Sequence, residues 1–316
     1  MLGLRFVHRS IAPRTDGGVR VRVRFSTTKA ADTSLAARAT GFLTASAEMA
    51  KLYYNGAKQL YRNSKDAGAL IKHKRQVEAS GGKVEWSRSQ FLMVQQTSID
   101  MKKLPPFLIL LLLVPETIPF ILIFNPAMIP STCVSLAQKQ KLWAKLKERR
   151  ETIANGWIEH LTNNDKSPLG WASQIPLEQF KDPKSVVHLA KHAPQYFEPN
   201  NMSRGVLKSI NLGLGLSHRV VFASTLRKAL EKHWETVHGD DLYLAGRMPG
   251  EKVGISSLSE LELWEAAEMR GISTTGKSRA SIESELKSWL ATSMNEENVK
   301  IPSGLMYMST FFRQTA

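Results

Sequence analysis

The strongest pattern along the chain is an apolar stretch, Leu104 to Phe124, with no Lys, Arg or Asp and one ionisable side chain, Glu116. A helix of about 21 residues is long enough to cross a bilayer core of about 30 Å, so the stretch predicts one transmembrane helix. Lys102 and Lys103 precede it, and Lys139, Lys141 and Lys145 follow its Pro-bounded exit. Pro105, Pro106, Pro115 and Pro119 lie within it; each removes a backbone donor and crowds the preceding turn, which predicts a kinked helix. A carboxyl at membrane depth costs about 2.5–3.5 kcal/mol unless it is neutral, paired or facing water. Glu116 is therefore the candidate for ion or proton chemistry, and a protonated or snorkelling carboxyl beside a kink is the structural alternative.

Helical spacing dominates both sides of this stretch. Phe42, Met49, Tyr53, Ala57, Leu60 and Tyr61 recur every three to four residues and predict a helix to about Arg62. A second, from Asp66, carries Leu70, Ile71 and Val77 and stops before Gly81-Gly82, and Ser87 caps a third carrying Phe91, Leu92, Val94 and Ile99. Beyond Pro130, Ser131 or Ser135 opens a long charged helix through Trp157 and Leu161. Its Lys139, Lys141, Lys145, Lys147, Arg149 and Arg150 outnumber Glu148 and Glu151. Short helical patterns follow at Leu177 to Phe180, Val186 to His192 and Arg219 to Val237. Ser257 or Ser259 then caps a helix with Leu261, Leu263, Trp264, Ala267 and Met269 that ends at Arg270-Gly271. A polar loop, Ser273 to Lys277, leads to a helix with Ile282, Leu286, Trp289 and Leu290 on one face. Ile301-Pro302 starts a last helix, Ser303 to Phe312, whose Met and aromatic face is expected to pack inside its own domain. No useful strand-like alternation interrupts these patterns, so the part outside the membrane is predicted all-α.

Composition narrows the partners. The 316 residues carry a net charge of +15 with 42% apolar residues, enough for an ordinary core and an excess of cations that favours nucleic acid, ribosomes or acidic lipid. A single cysteine, Cys133, excludes an intramolecular disulfide framework and a Cys-cluster zinc site and reads as a small packing residue. From Met1 to Lys29, seven Lys and Arg face one acid, Asp16, and arginines interrupt every apolar run that a secretory signal would need. Residues 1–29 are expected to be a mitochondrial transit peptide, with Arg22-Val-Arg24-Phe25-Ser26 resembling a matrix-processing site. His188 and His192 have the spacing for a metal on one helix face but no third ligand in view, and His233 and His238 fare no better. Gly213-Leu-Gly215 lacks the third glycine and preceding strand of a dinucleotide fingerprint. Neither a cofactor nor an enzymatic activity is expected.

Three segments in order resemble the LETM family, the leucine-zipper and EF-hand-containing transmembrane proteins, and in particular its LETM-type ribosome-binding domain. They are Ser87-Arg-Ser-Gln-Phe-Leu92 with Lys102-Lys-Leu-Pro-Pro-Phe107; Val114-Pro-Glu116, Pro119 and Phe124-Asn-Pro-Ala-Met-Ile-Pro-Ser-Thr132; and Leu258-Ser-Glu-Leu261 through Ala266-Ala-Glu-Met-Arg-Gly-Ile272, with Leu286-Lys-Ser-Trp-Leu290 and Ile301-Pro-Ser303. The resemblance implies a helical region at 30–103, a transmembrane helix at 104–124 and a 14-3-3-like ribosome-binding domain at 131–316 facing the matrix. No D-x-[DN]-x-[DN]-G calcium loop and no sustained heptads are present, so calcium sensing and a coiled coil are not implied.

The expected function is a single-pass inner-membrane anchor whose matrix domain binds the mitochondrial ribosome, supporting translation and insertion at the membrane. Ribosomal RNA and protein of the large subunit and inner-membrane lipid are the expected partners, with a homo-oligomer as a further possibility. Candidate contacts are Lys139, Lys141, Lys145, Lys147, Arg149, Arg150, Arg270, Lys277, Arg279 and Lys287. The alternative is potassium/proton or calcium/proton exchange through Glu116, which one span could support only as an oligomer. A third reading takes Leu258 to Leu290 as a SAP-like nucleic-acid module.

Overall fold

The computed structural model describes residues 35–113, 129–162, 175–216, 222–249 and 253–315. Two compact units divide the chain, residues 1–47 and 48–316, and of the first only helical backbone from Leu35 onward is described. The transit segment and Glu116 lie outside the described residues. Those described form ten α-helices and three 3-10 turns, with no strand among them.

The first helix, α1 (Leu35–Ala79), is 45 residues long and runs through the break expected between Arg62 and Asp66. Between them Asn63 accepts from Gln59 across one turn and Ser64 donates to the Tyr61 carbonyl, so both side chains are used within the helix. Its end is as expected: Gly81 takes φ +78° and Gly82 N–H donates to the Val77 carbonyl five residues back in a Schellman turn. Helix α2 (Arg88–Leu113) is opened by Ser87, whose hydroxyl accepts from Gln90 N–H while the Gln90 side chain accepts from Ser87 N–H. It continues through Pro105 and Pro106.

Residues 104–113 of the apolar stretch are thus the last turns of α2, and residues 114–128 lie outside the described residues. No helix among the described residues is long and apolar enough to cross a membrane. The two flanks of the stretch meet. Asp100 accepts from Ser131 N–H at 3.0 Å and from its hydroxyl at 2.5 Å, and Phe107, Ile129 and Cys133 share one buried cluster with Tyr53 of α1. A straight helix over 104–124 would hold its ends about 30 Å apart. These contacts bring residues 100–107 and 129–133 together, and the expected single crossing by 104–124 is not shown among the described residues. Cys133, fully buried, packs there as expected, so close to α1 that a Cβ on Gly56 would lie 2.7 Å from its sulfur.

The rest of the second unit is a helical body. Its helices are α3 (Leu136–Thr162), α4 (Leu177–Lys181), α5 (Pro183–His192), α6 (Arg204–Gly213), α7 (Ala223–Leu244), α8 (Glu260–Met269), α9 (Arg279–Ser293) and α10 (Ser303–Arg313). Ser135, rather than Ser131, opens α3 by exchanging hydrogen bonds with Gln138, and Ser259, rather than Ser257, forms a full capping box with Glu262. Helix α6, opened by Ser203, was not anticipated, and α7 runs seven residues past the expected end at Val237.

Helix α10 is the centre. It packs against α3, α4, α5, α6 and α7, and Leu305, Tyr307, Met308, Phe311 and Phe312 are fully buried. Burial of each such side chain contributes about 1.5–3 kcal/mol. Phe311 stacks on Trp157 at 6.0 Å, and Phe312 meets Phe180 at 5.3 Å. Gly304 admits no side chain, since a Cβ there would lie 2.5 Å from the Phe197 carbonyl oxygen. The expectation that this Met and aromatic face packs inside its own domain holds.

Candidate functional site

The interior carries charge as well as apolar surface. Asp240 and Asp241 of α7 are fully buried beside Arg270, itself fully buried at the end of α8. Arg270 donates to Asp241 Oδ1 through Nε at 2.9 Å and Nη2 at 2.6 Å, to Asp240 Oδ2 at 2.9 Å and to the Ala266 carbonyl at 2.7 Å. Arg88 at the start of α2 closes the array, with Nε 2.6 Å from Asp240 Oδ1 and Nη2 3.2 Å from Oδ2. The other Asp241 oxygen accepts from Trp289 Nε1 and Ser293 Oγ of α9 at 3.0 and 2.8 Å. Two guanidinium groups and two carboxylates thus balance, and every carboxylate oxygen has a donor. Burial alone would raise the Asp240 carboxyl, but Arg270 and Arg88 overturn that and hold it below the usual carboxylate range. Burial would likewise lower Arg270, and Asp241 and Asp240 push it up instead.

A second buried pair lies alongside. Arg150 of α3 is fully buried, 2.9 Å from Glu268 Oε2, and donates to the Gly213 carbonyl at 2.9 Å and Ser273 Oγ at 3.2 Å. The other Glu268 oxygen accepts from Thr274 N–H and hydroxyl, which fixes the turn after α8. Breaking a buried pair by removing one partner costs about 3–5 kcal/mol because the remaining charge is left unpaired inside. Both arginines were expected on the ribosome-facing surface. That expectation is corrected: with no exposure and every neighbour internal, Arg150 and Arg270 hold the body together and cannot reach a partner.

The other candidates lie outside. Lys141 and Lys145 on α3 and Lys287 on α9 are exposed, while Lys147 and Arg149 are half-buried. Lys139 pairs with Glu265 at 2.7 Å, joining α3 to α8 where Trp143 meets Trp264 edge-on. Lys277 grips both oxygens of Glu285 at 2.7 Å. Arg279 pairs with Glu283 at 2.8 Å and donates to the Leu258 carbonyl at 2.7 Å, tying α9 to the start of α8. Surface pairs of this kind contribute little to stability and can exchange partners. The structure therefore does not gather the ten into one cluster. His188 and His192 stand exposed on α5 with rings 4.2 Å apart, and no group of three metal-ligating side chains occurs among the described residues.

Asp240, Asp241, Arg88 and Glu268 were missed. The signal was present in the spacing: Asp240 and Asp241 fall three and four residues after Val237 and before Leu244, on the stripe that α7 turns inward. Two acids on an apolar stripe require cations inside.

The class defined is an all-helical body with balanced interior charge and cations left on its exterior. The family described as "LETM1-like, RBD" matches residues 87–313, and the chain belongs to that family. The chain is also similar to the mitochondrial proton/calcium exchanger protein of Drosophila melanogaster, 24% identical over 238 residues. That match covers 71% of this chain and 22% of the relative, so the chain spans about a fifth of the relative's length.

His233 on α7 supplies a test of the interior. It is half-buried with Nε2 2.7 Å from the Met269 carbonyl, and burial, aided by Arg270 and Arg150, pushes its pKa down to about 4. The unfolded chain takes up a proton from pH 6.5 downward and the folded chain does not. Stability therefore falls as pH drops from about 6.5 to 4, by about 3 kcal/mol in all, and this dependence is absent above and below that window. The urea midpoint of the full chain should fall from pH 7 to pH 5, and His233→Gln should remove most of the fall. An equal fall in the variant would contradict this assignment.

Proposed function

We propose that this chain is a mitochondrial inner-membrane protein whose helical body docks on the mitochondrial ribosome and supports translation and protein insertion at the membrane. The observation carrying this reading is the family match over 87–313, which covers α2 and the whole body that the two buried ion arrays hold together. Lys141, Lys145 and Lys287 are exposed cations on that body, and binding of RNA phosphate through them is salt-dependent. The printed name of the Drosophila relative supports a mitochondrial location, whereas its exchange activity belongs to a much longer protein. In this reading the apolar stretch 104–124 attaches the chain to lipid with both of its flanks on the matrix side, which the hydrogen bonds of Asp100 with Ser131 and the shared burial of Phe107 and Ile129 support.

Cosedimentation of the full chain with mitochondrial large ribosomal subunits at low salt tests the docking. The triple substitution Lys141→Glu, Lys145→Glu and Lys287→Glu should weaken it at least about tenfold, since each phosphate contact adds to the salt-dependent affinity. Unchanged cosedimentation would remove these residues from the contact surface. Membrane attachment has its own measurement. An epitope inserted at Ser80, in the exposed turn after α1, and one at the carboxyl terminus should both be protected from protease in mitoplasts. Digestion of the Ser80 epitope alone would restore a single crossing.

A further inference from the structure

A cleft of about 270 Å³ lies between α7 and the segment that joins α9 to α10. Trp234, His238, Arg247, Met294, Asn298 and Lys300 are among the residues lining it, and no Asp or Glu is. Its aromatic wall is preorganised. Trp234 is wedged edge-on against Tyr307 at 5.9 Å and tilted against Trp289 at 6.2 Å, and the exposed His238 ring stacks on it at 5.9 Å and 25°. The opposite rim is fixed as well. Arg247 donates to the Met294 carbonyl at 2.7 Å, and the Asn295 side chain accepts from Val299 N–H at 2.9 Å and donates to the Val299 carbonyl at 2.8 Å. Within that closed turn Asn298 holds φ 53°, the left-handed region that asparagine tolerates better than most residues. On the same turn Glu297 pairs with Lys191 at 3.2 Å and Glu296 is exposed, while Asp241 behind the lining Ser293 is already paired with Arg270.

A stacked aromatic platform beside Arg247, held by the Met294 carbonyl, and the exposed Lys300, with no carboxylate lining the space, matches what unpaired nucleic acid needs: a π-face for the base and positive charge for the flanking phosphates. The volume falls just below the usual range for a drug-sized ligand and suits one base. A duplex keeps its bases stacked inside and cannot offer one to the cleft. We propose that this cleft takes an unpaired base of single-stranded RNA, stacked on His238 and Trp234, with its flanking phosphates at Arg247 and Lys300. The proposal rests on the ribosome-docking reading for its physiological RNA, and it uses residues separate from Lys141, Lys145 and Lys287.

The test is fluorescence anisotropy of the full chain in detergent with a labelled single-stranded RNA of about 12 nucleotides and with the matching duplex. Single strands should bind at least about tenfold tighter than duplex. His238→Ala should lower single-strand affinity about tenfold and leave duplex binding unchanged. Arg247→Gln and Lys300→Gln should each reduce the slope of log affinity against log salt by about 0.7. Equal binding of single strand and duplex, or full single-strand affinity in His238→Ala, would overturn the cleft assignment. Run beside ribosome cosedimentation, the two readings separate. Cosedimentation without single-strand binding sinks the cleft and leaves docking standing, whereas single-strand binding lost in His238→Ala without cosedimentation keeps the cleft and sinks docking.

Discussion

Arg270 sits where three helices converge, and its position decides what each of them can do. It closes α8, reaches both carboxylates of α7, and shares Asp241 with Trp289 and Ser293 of α9, while Arg88 brings α2 to the remaining face of Asp240. Adjacent buried carboxylates repel each other strongly unless cations lie within hydrogen-bonding reach, and in a low dielectric both the attraction and the penalty for a missing partner grow. A buried array is a weak argument for high stability, because apolar replacements of the same shape can be as stable. Its stronger consequence is geometric: the hydrogen-bonded atoms meet in one register, so four helices are fixed at once.

The second array extends this constraint into the core. Arg150 brings α3 to Glu268 and to the carbonyl that ends α6, and between them α10 fills the interior with aromatic and methionine side chains. Burial supplies the driving force, and the paired charges select which arrangement of helices is allowed. Arginines that composition would assign to an RNA surface are consumed inside. The exterior keeps its lysines, and many of them sit in ion pairs at the margins of solvent.

What was legible in the sequence follows the same division. Helix starts with a local chemical signature, such as Ser87 with Gln90 and Ser259 with Glu262, could be read from the residues alone, because capping is settled within four positions. So could the buried face of Ser303 to Phe312, whose side chains are too apolar to leave in water. The continuity of α1 was hidden, since Asn63 and Ser64 can interrupt a helix or serve within one and only their neighbours decide. Whether a charged residue points in or out was equally hidden where its partner is far along the chain: Arg88 and Asp240 are 152 residues apart. The meeting of Asp100 with Ser131 is of the same kind.

Function inherits these constraints. The array joins the helix leading into the apolar stretch to the body that the family shares, so α2 and that body are mechanically one piece. The central claim is that Arg88 and Asp240 act as a coupled pair in holding α2 to the body. A double-mutant cycle with Arg88→Met, Asp240→Asn and the double variant, read from urea unfolding of the full chain, measures it. The account predicts a coupling energy of about 1.5 kcal/mol or more, whereas effects that add to within about 0.5 kcal/mol would contradict it.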